Sequence, residues 1–304
     1  MNVLSTNGLS KNYGMVQALN QVSFEVPRGA VYGILGPNGS GKTTLLGIVM
    51  NVLKASSGSY LWNGQTGHKA QRKRIGTLLE TPNFYPYLSA ERNLRIAAAI
   101  KGQDTADIPR ALKAVRLFDR RHSAFSTYSL GMKQRLAIAS SLLGDPEVLV
   151  FDEPTNGLDP AGIAEIRQLI QQLHAAGKTI IMASHILDEV EKVCTHVTII
   201  QKGHVKAGGT VHEVLHANGP APETVIEIAA SDLPLLQEVV AGLQNVTALI
   251  VKPGMLQLTG TADLTPQLVN RYCFEKGIAL TYLVLKKKSL EARFLEITGA
   301  GSDH

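Results

Sequence analysis

The sequence predicts an α/β fold built on a parallel sheet, followed by a smaller α+β unit. Three observations carry that expectation. Short continuous apolar runs at Val31–Leu35, Val148–Phe151 and Thr179–Ala183 have the character of strands buried on both faces. A well-punctuated helix separates the last two, and strand–helix–strand order implies parallel strands covered by helices. Beyond Ala217-Asn218-Gly219-Pro220-Ala221-Pro222, a run composed like a linker, the order of elements changes.

The elements follow in order. Val22, Phe24 and Val26 alternate with polar residues as a half-buried strand does, and Pro27-Arg28-Gly29 turns the chain. After the buried strand Val31–Leu35, residues Leu45, Leu46, Ile48, Val49 and Val52 form the apolar face of a helix. Asn63-Gly64 is a hairpin turn within Leu61–Gln65, and Ile75–Leu79 reads as a strand. From about 82 to 144 helical spacing dominates, so a helical subdomain is inserted in the sheet. In the helix before Thr179, Asp159 caps and Pro160 fits the first turn. Its inner stripe is Ile163, Ile166, Leu169, Ile170 and Leu173, and Gly177 ends it. The chain thus divides at residues 1–218 and 219–304. The second part reads as strand Thr224–Ala229, helix Leu233–Leu243, strand Val246–Val251, a Pro253-Gly254 turn and strand Met255–Leu258. Helix Pro266–Lys276, strand Ile278–Leu285 and a last helix Leu290–Ile297 follow. Without that last helix the order is β-α-β-β-α-β, the ferredoxin-like arrangement.

Composition sets outer bounds. The 304 residues are 44% hydrophobic and 18% charged, which excludes wholesale disorder. No apolar run approaches the roughly 18 residues of a membrane span. Thirty Lys+Arg against 25 Asp+Glu gives a net charge of +5, which suits a polyanion or an acidic surface and selects neither. Cys194 and Cys273 read as buried free thiols. The first residues lack the apolar core of a secretory signal, so a cytoplasmic location is expected. Arg72-Lys73-Arg74 and Lys286-Lys287-Lys288 read as solvated faces, and His68, His122 and His174 as solvated or incidental.

Two motifs carry chemistry. Gly36-Pro37-Asn38-Gly39-Ser40-Gly41-Lys42-Thr43 fits G-x-x-x-x-G-K-[ST] between a buried strand and a helix. Glycines let backbone N–H groups curl around phosphate oxygens. Lys42 adds a positive charge, the Thr43 hydroxyl is a ligand for Mg²⁺, and the helix N-terminus attracts the anion. Thr44 completes the phosphate-binding stretch. The second motif is the strand Val148–Phe151 ending in Asp152 and Glu153. Two acids after a strand are by themselves more often a solvated end or a cap. Paired with a phosphate loop, Asp152 reads as a Mg²⁺ ligand and Glu153 as the group that orients the attacking water.

Four segments in order then resemble the nucleotide-binding subunit of an ABC transporter over residues 1 to about 218. They are the phosphate loop, Ser129-Leu130-Gly131-Met132-Lys133-Gln134-Arg135, Glu153-Pro154-Thr155-Asn156-Gly157-Leu158-Asp159, and Ser184-His185. The resemblance implies an ABC cassette of the P-loop NTPase fold: parallel core sheet, N-terminal antiparallel strands and helical subdomain. It implies that Tyr13 stacks on adenine, and that Ser129 and Gly131 close over the γ-phosphate held by a second cassette. Asp159 would lie in the turn crossing that interface, and His185 would contact the γ-phosphate and steady Glu153. The expected partners are ATP, a second cassette (a homodimer) and a separate membrane permease, with no nucleic acid.

Two departures are visible. The signature usually reads Leu-Ser-Gly-Gly-Gln, and here Leu130 and Met132 replace a glycine and the glutamine. The glutamine that senses Mg²⁺ is Glu80, a carboxylate still able to ligate the metal. Leu79–Pro86 and the terminal Ser289–Glu296 are similar to ABC-2-type exporter ATPases, including those of bacitracin and lantibiotic resistance. The expectation is therefore an ATPase that hydrolyses MgATP to drive export, held at the inner face of the membrane by its permease. The alternative is a soluble ABC protein acting on ribosomes or DNA. That class usually carries two cassettes or a long coiled coil, and neither is present.

Overall fold

The structure, a computed structural model, describes residues 1–66, 74–79, 83–216, 224–261, 263–286 and 289–299. Glu80, the proposed linker 217–222 and most of both basic runs lie outside them. The chain forms two compact units, Met1–Val214 joined by the residues from Arg293 onward, and Leu215–Ala292. The expected division put everything after residue 218 together, whereas Arg293–Gly299 group with the first unit.

The first unit carries two sheets. β1 (Asn2–Tyr13) and β2 (Val16–Pro27) pair antiparallel, and β4 (Ser57–Trp62) and β5 (Gln65–Thr66) extend them. The central sheet runs β10-β9-β3-β8-β7-β6, built from β3 (Val31–Leu35), β6 (Ile75–Leu78), β7 (Val148–Asp152), β8 (Thr179–Ser184), β9 (His196–Gln201) and β10 (His204–Thr210). All its neighbours are parallel except the edge strand β10. Every residue of β3, β7 and β8 is buried, which is why continuous apolar runs mark them. Leu4, Leu9, Val22 and Trp62 share one core with Ile34, Leu45, Val150 and Ile181. Trp62 Nε1 donates to Val49 O at 2.9 Å, so even this buried indole is satisfied. Helices Ala90–Lys101, Ile108–Ala114 and Leu130–Ser141 form the inserted helical segment.

Two further expectations need correction. The helix after β3 is Lys42–Val49 and stops short of Val52, which is exposed. Asn51 takes a left-handed conformation (φ 57°), and the N–H groups of Val52 and Leu53 both return to Gly47 O. Leu53 then packs on Gly47, where a Cβ would approach its Cδ1 to 2.9 Å. His174 is not solvated: its Nε2 lies 2.8 Å from Gly29 O, fastening the end of helix Pro160–Ala175 to the turn before β3.

In the second unit the strand order is β12-β13-β11-β14, all antiparallel, from β11 (Thr224–Ala230), β12 (Val246–Lys252), β13 (Met255–Gly260) and β14 (Leu280–Lys286). That is the ferredoxin-like order. Helices Leu233–Val240 and Pro266–Glu275 contribute Leu236, Val240, Val269 and Cys273 to a core with Ile226, Ile228, Leu256 and Leu258. Both helices are capped, by Asp232 on Leu235 N and by Thr265 on Leu268 N. Cys194 and Cys273 are both buried and unbridged. No helix among the described residues is long and apolar enough to cross a membrane.

Candidate nucleotide-binding site

Three adjacent parallel strands end at one edge of the central sheet. Leu35 at the end of β3 pairs with Ser184, and Asp152 at the end of β7 pairs with Ala183. The phosphate loop, the Asp152-Glu153 pair and His185 therefore converge on the carboxyl edge, where open α/β sheets bind ligands.

The loop is shaped by what it excludes. A Cβ at Gly36 would lie 2.3 Å from Ile200 O and 2.4 Å from Ser40 Oγ, so only glycine fits. Gly39 and Gly41 have φ of 78° and 106°, and Gly41 caps helix Lys42–Val49. Lys42 is 5% exposed. Its Nζ donates to Gly36 O at 2.8 Å and Pro37 O at 3.2 Å. The same ammonium lies 3.4 Å from Glu153 Oε1. Ser40 Oγ is buried with no hydrogen-bond partner among the described residues, an unmet polar group within the cradle. Thr43 is exposed at the helix start, Thr44 half-buried behind it, and Asp152 buried at the strand end.

Glu153 is the pivot. Its φ of 48° is unusual for a non-glycine residue, and its N–H donates to Ala183 O at 3.0 Å. Backbone strain of this kind concentrates where a side chain must be aimed. The carboxylate shares a 2.8 Å hydrogen bond between Oε2 and His185 Nδ1, while Oε1 faces Lys42. A carboxylate fixed between an imidazole and a lysine can orient a water and accept its proton. The thiol, imidazole and carboxylate groups of the described residues form no cluster of three or more able to hold a metal by themselves. The oxygen set of Thr43 and Asp152 nonetheless suits Mg²⁺, which takes few protein ligands alongside phosphate oxygens.

The remaining expected residues lie on other elements. Ser129 caps helix Leu130–Ser141, accepting from Met132 N at 3.3 Å. At Gly131 a Cβ would meet nothing within 4 Å among the described residues. Asp159 Oδ1 accepts from Gly162 N at 2.9 Å, and Gly157 beside it would place a Cβ 3.4 Å from Leu130 Cδ2. Tyr13, 46% exposed at the end of β1, has the Lys11 ammonium 4.9 Å from its ring centroid. No hydrogen bond or ion pair joins Ser129, Gly131, Asp159 or Tyr13 to the phosphate loop among the described residues. One residue went unforeseen. Phe294, from the last helix, lines a cavity beside Gly36, Pro37, Asn38 and His185, and no local pattern connects so distant a position to the loop.

Comparison with known proteins decides the family. The ABC transporter family profile matches residues 19–156. The bacitracin transport ATP-binding protein BcrA of Enterococcus faecalis is 32% identical over 98% of this chain and 97% of its own length. The chain belongs to the ATP-binding subunits of ABC transporters. Like other members of this ABC ATPase family, it is a nucleotide-binding protein. The lantibiotic transport ATP-binding protein SrtF of Streptococcus pyogenes is 38% identical over 67% of this chain and 89% of its own. A solved ATP-binding subunit of an ABC transporter superposes with a TM-score of 0.62 at 32% identity, covering 70% of this chain and 91% of that one. This ABC subunit therefore keeps the cassette fold and adds a ferredoxin-like unit to it.

Proposed function

We propose that this subunit binds MgATP between two cassettes and hydrolyses it to ADP and phosphate to drive export through a separate permease. The observation that carries the reading is the Lys42–Glu153–His185 chain at the carboxyl edge of the sheet. Relatives named for bacitracin and lantibiotic transport and for Nod factor export support the exporter branch over action on ribosomes or DNA.

In this reading the triphosphate takes over the Lys42 ammonium from the loop carbonyls. N–H groups of the loop and of the first turn of helix Lys42–Val49 surround the phosphates. Thr43 and Asp152, together with Glu80 of the undescribed segment, would hold Mg²⁺, which would neutralise phosphate charge. Glu153 positions water and takes its proton, and His185 keeps that carboxylate aimed. Tyr13, 46% exposed, would stack its ring on adenine. Gly131, where an added Cβ would meet nothing within 4 Å among the described residues, leaves room for a phosphate brought by a second copy, which Ser129 and the start of its helix would face. Asp159 lies in the turn at that interface.

The permease would meet the segment from Glu80 to Tyr87, of which the described part begins at Asn83. Tyr85 and Tyr87 are exposed there, and Phe84, Tyr85, Asn93, Ile96 and Ile100 line a groove of about 390 Å³. Buried Asn93 holds its rim, accepting from Tyr85 N at 2.8 Å and donating to Tyr85 O, Leu88 O and Ser89 O. Such docking places the subunit at the inner face of the membrane.

Glu153→Gln tests the assignment. Hydrolysis should fall by about 100-fold or more, while ATP binding persists and an ATP-dependent dimer accumulates on size exclusion. An unchanged turnover rate would remove Glu153 from the role of base.

A further inference from the structure

The polypeptide leaves the cassette unit at Val214 and re-enters it at Arg293. The re-entry is latched twice. Arg293 Nε donates to Val214 O at 3.2 Å, and Gln201 Nε2 donates to Thr298 O at 2.9 Å. Gln201 follows Ile200, whose carbonyl is the closest atom to the place a Cβ would take on Gly36. The terminal segment is thus bonded to the strand that abuts the phosphate loop.

Between the two latches, on helix Leu290–Thr298, Phe294 is half-buried and lines a cavity of about 300 Å³. The other walls are Gly36, Pro37 and Asn38 of the loop, with His185 and Leu187 from the segment after β8. The next residue, Leu295, is 41% exposed and is not part of this lining. An aromatic ring offers a large rigid contact for little side-chain entropy, which suits it to bracing a glycine-rich loop.

We propose that Phe294 is a positioning residue of the ATP site, bracing the loop at Gly36–Asn38 and the His185 turn so that His185 stays paired with Glu153. The inference rests on the role given above to the Glu153–His185 pair. Phe294 acts through His185 and the loop backbone, not on the phosphates. Its loss should therefore weaken turnover more than nucleotide affinity, because Lys42 and the helix start retain their contacts.

The test uses the full-length chain and steady-state hydrolysis of MgATP. Phe294→Ala should lower kcat roughly three- to ten-fold, with KM changed less than about two-fold. Phe294→Leu should recover most of the loss, and Leu295→Ala should behave as wild type. A second readout is independent of turnover. The chain has one tryptophan, the buried Trp62, so Phe294→Trp adds a reporter over a constant background. Its emission should change on adding ADP or MgATP, whereas that of Leu295→Trp should not. If Phe294→Ala does not fold, this reporter decides alone. An unaltered kcat in Phe294→Ala with a nucleotide-insensitive Phe294→Trp would overturn the proposal. Lys42→Ala separates the two levels. If it abolishes nucleotide binding while the Phe294 variants match wild type, the site stands and this inference falls. If Lys42→Ala binds and hydrolyses normally, the site assignment falls and takes the inference with it.

Discussion

Single residues in this protein are constrained by what surrounds them, in ways their identity alone does not reveal. Gly36 is required because the space for a side chain is already taken by Ile200 O and Ser40 Oγ. Gly36→Ala must displace backbone, and overpacking of that kind costs about 1–3 kcal/mol. The variant should lose that much stability in urea unfolding and bind ATP weakly, since the shifted atoms are the cradle itself. Glu227 is constrained by charge. It sits on β11 with Lys252 Nζ and Lys286 Nζ each 3.0 Å from its carboxylate oxygens, and these hydrogen bonds hold its pKa below the usual glutamate value. A carboxylate with a depressed folded-state pKa stabilises the fold above its unfolded pKa of about 4.3 and loses that contribution as pH falls through the folded value. Glu227→Gln should therefore flatten the stability-versus-pH curve of the second unit below about pH 4, while changing its slope little near neutrality. An acid-unfolding series followed by circular dichroism reads this directly, and equal acid sensitivity in both proteins would count against the ion-pair account.

At the scale of elements, one helix combines a structural task with the proposed interface. Asp159 begins helix Pro160–Ala175 and is also the residue expected to face a second cassette. The two roles separate by substitution. Asp159→Ala removes the bond from Gly162 N and should cost about 1 kcal/mol, a fall in Tm of about 2–4 °C for a unit of this size. Asp159→Asn keeps a capping oxygen and should leave Tm nearly unchanged, so any loss of ATP-dependent dimerisation in that variant belongs to the charge. Caps like this were legible in the sequence because an Asp-Pro start and a Gly stop act within a few residues. The strands β3, β7 and β8 were legible for a related reason, since burial on both faces leaves an uninterrupted apolar run. β1 was not. Its register shifts between Thr6 and Leu9 and again before Asn12, and Gly8 takes a φ of 59°, so the period-two pattern is broken where it would have been read. The apolar spacing overruns the end of helix Lys42–Val49, because Val52 keeps that spacing while Asn51 turns the backbone away. Of the site, the loop, the carboxylates and His185 were readable as motifs. The left-handed Glu153 and the place of Phe294 in the cavity beside the loop depend on the tertiary fold, which no neighbouring residue encodes.

For the whole molecule the relevant fact is that the two units have separate cores. Leu45, Val150 and Ile181 belong to one and Ile226, Leu258 and Val269 to the other. Every residue assigned to the ATP site lies in the first unit, Met1–Val214 with the residues from Arg293 onward, so nucleotide binding should stabilise that unit alone. A ligand that binds only the folded state adds stability by mass action, about 2.7 kcal/mol at a hundred times its Kd. For a unit of some 200 residues that corresponds to a rise in Tm of roughly 5–10 °C. Calorimetry of the full chain should resolve two transitions, of which only one rises with MgATP. Lys42→Ala should abolish that rise without moving the other transition. Leu258→Ala, which opens a cavity in the second core at a cost of about 2–5 kcal/mol, should lower the transition that ATP leaves in place. A second unit whose unfolding followed nucleotide concentration as closely as the first would mean that the cores melt as one. The ferredoxin-like unit would then be an integral part of the ATPase rather than an appended module, and the terminal helix that runs from one to the other would be the element to examine for the coupling.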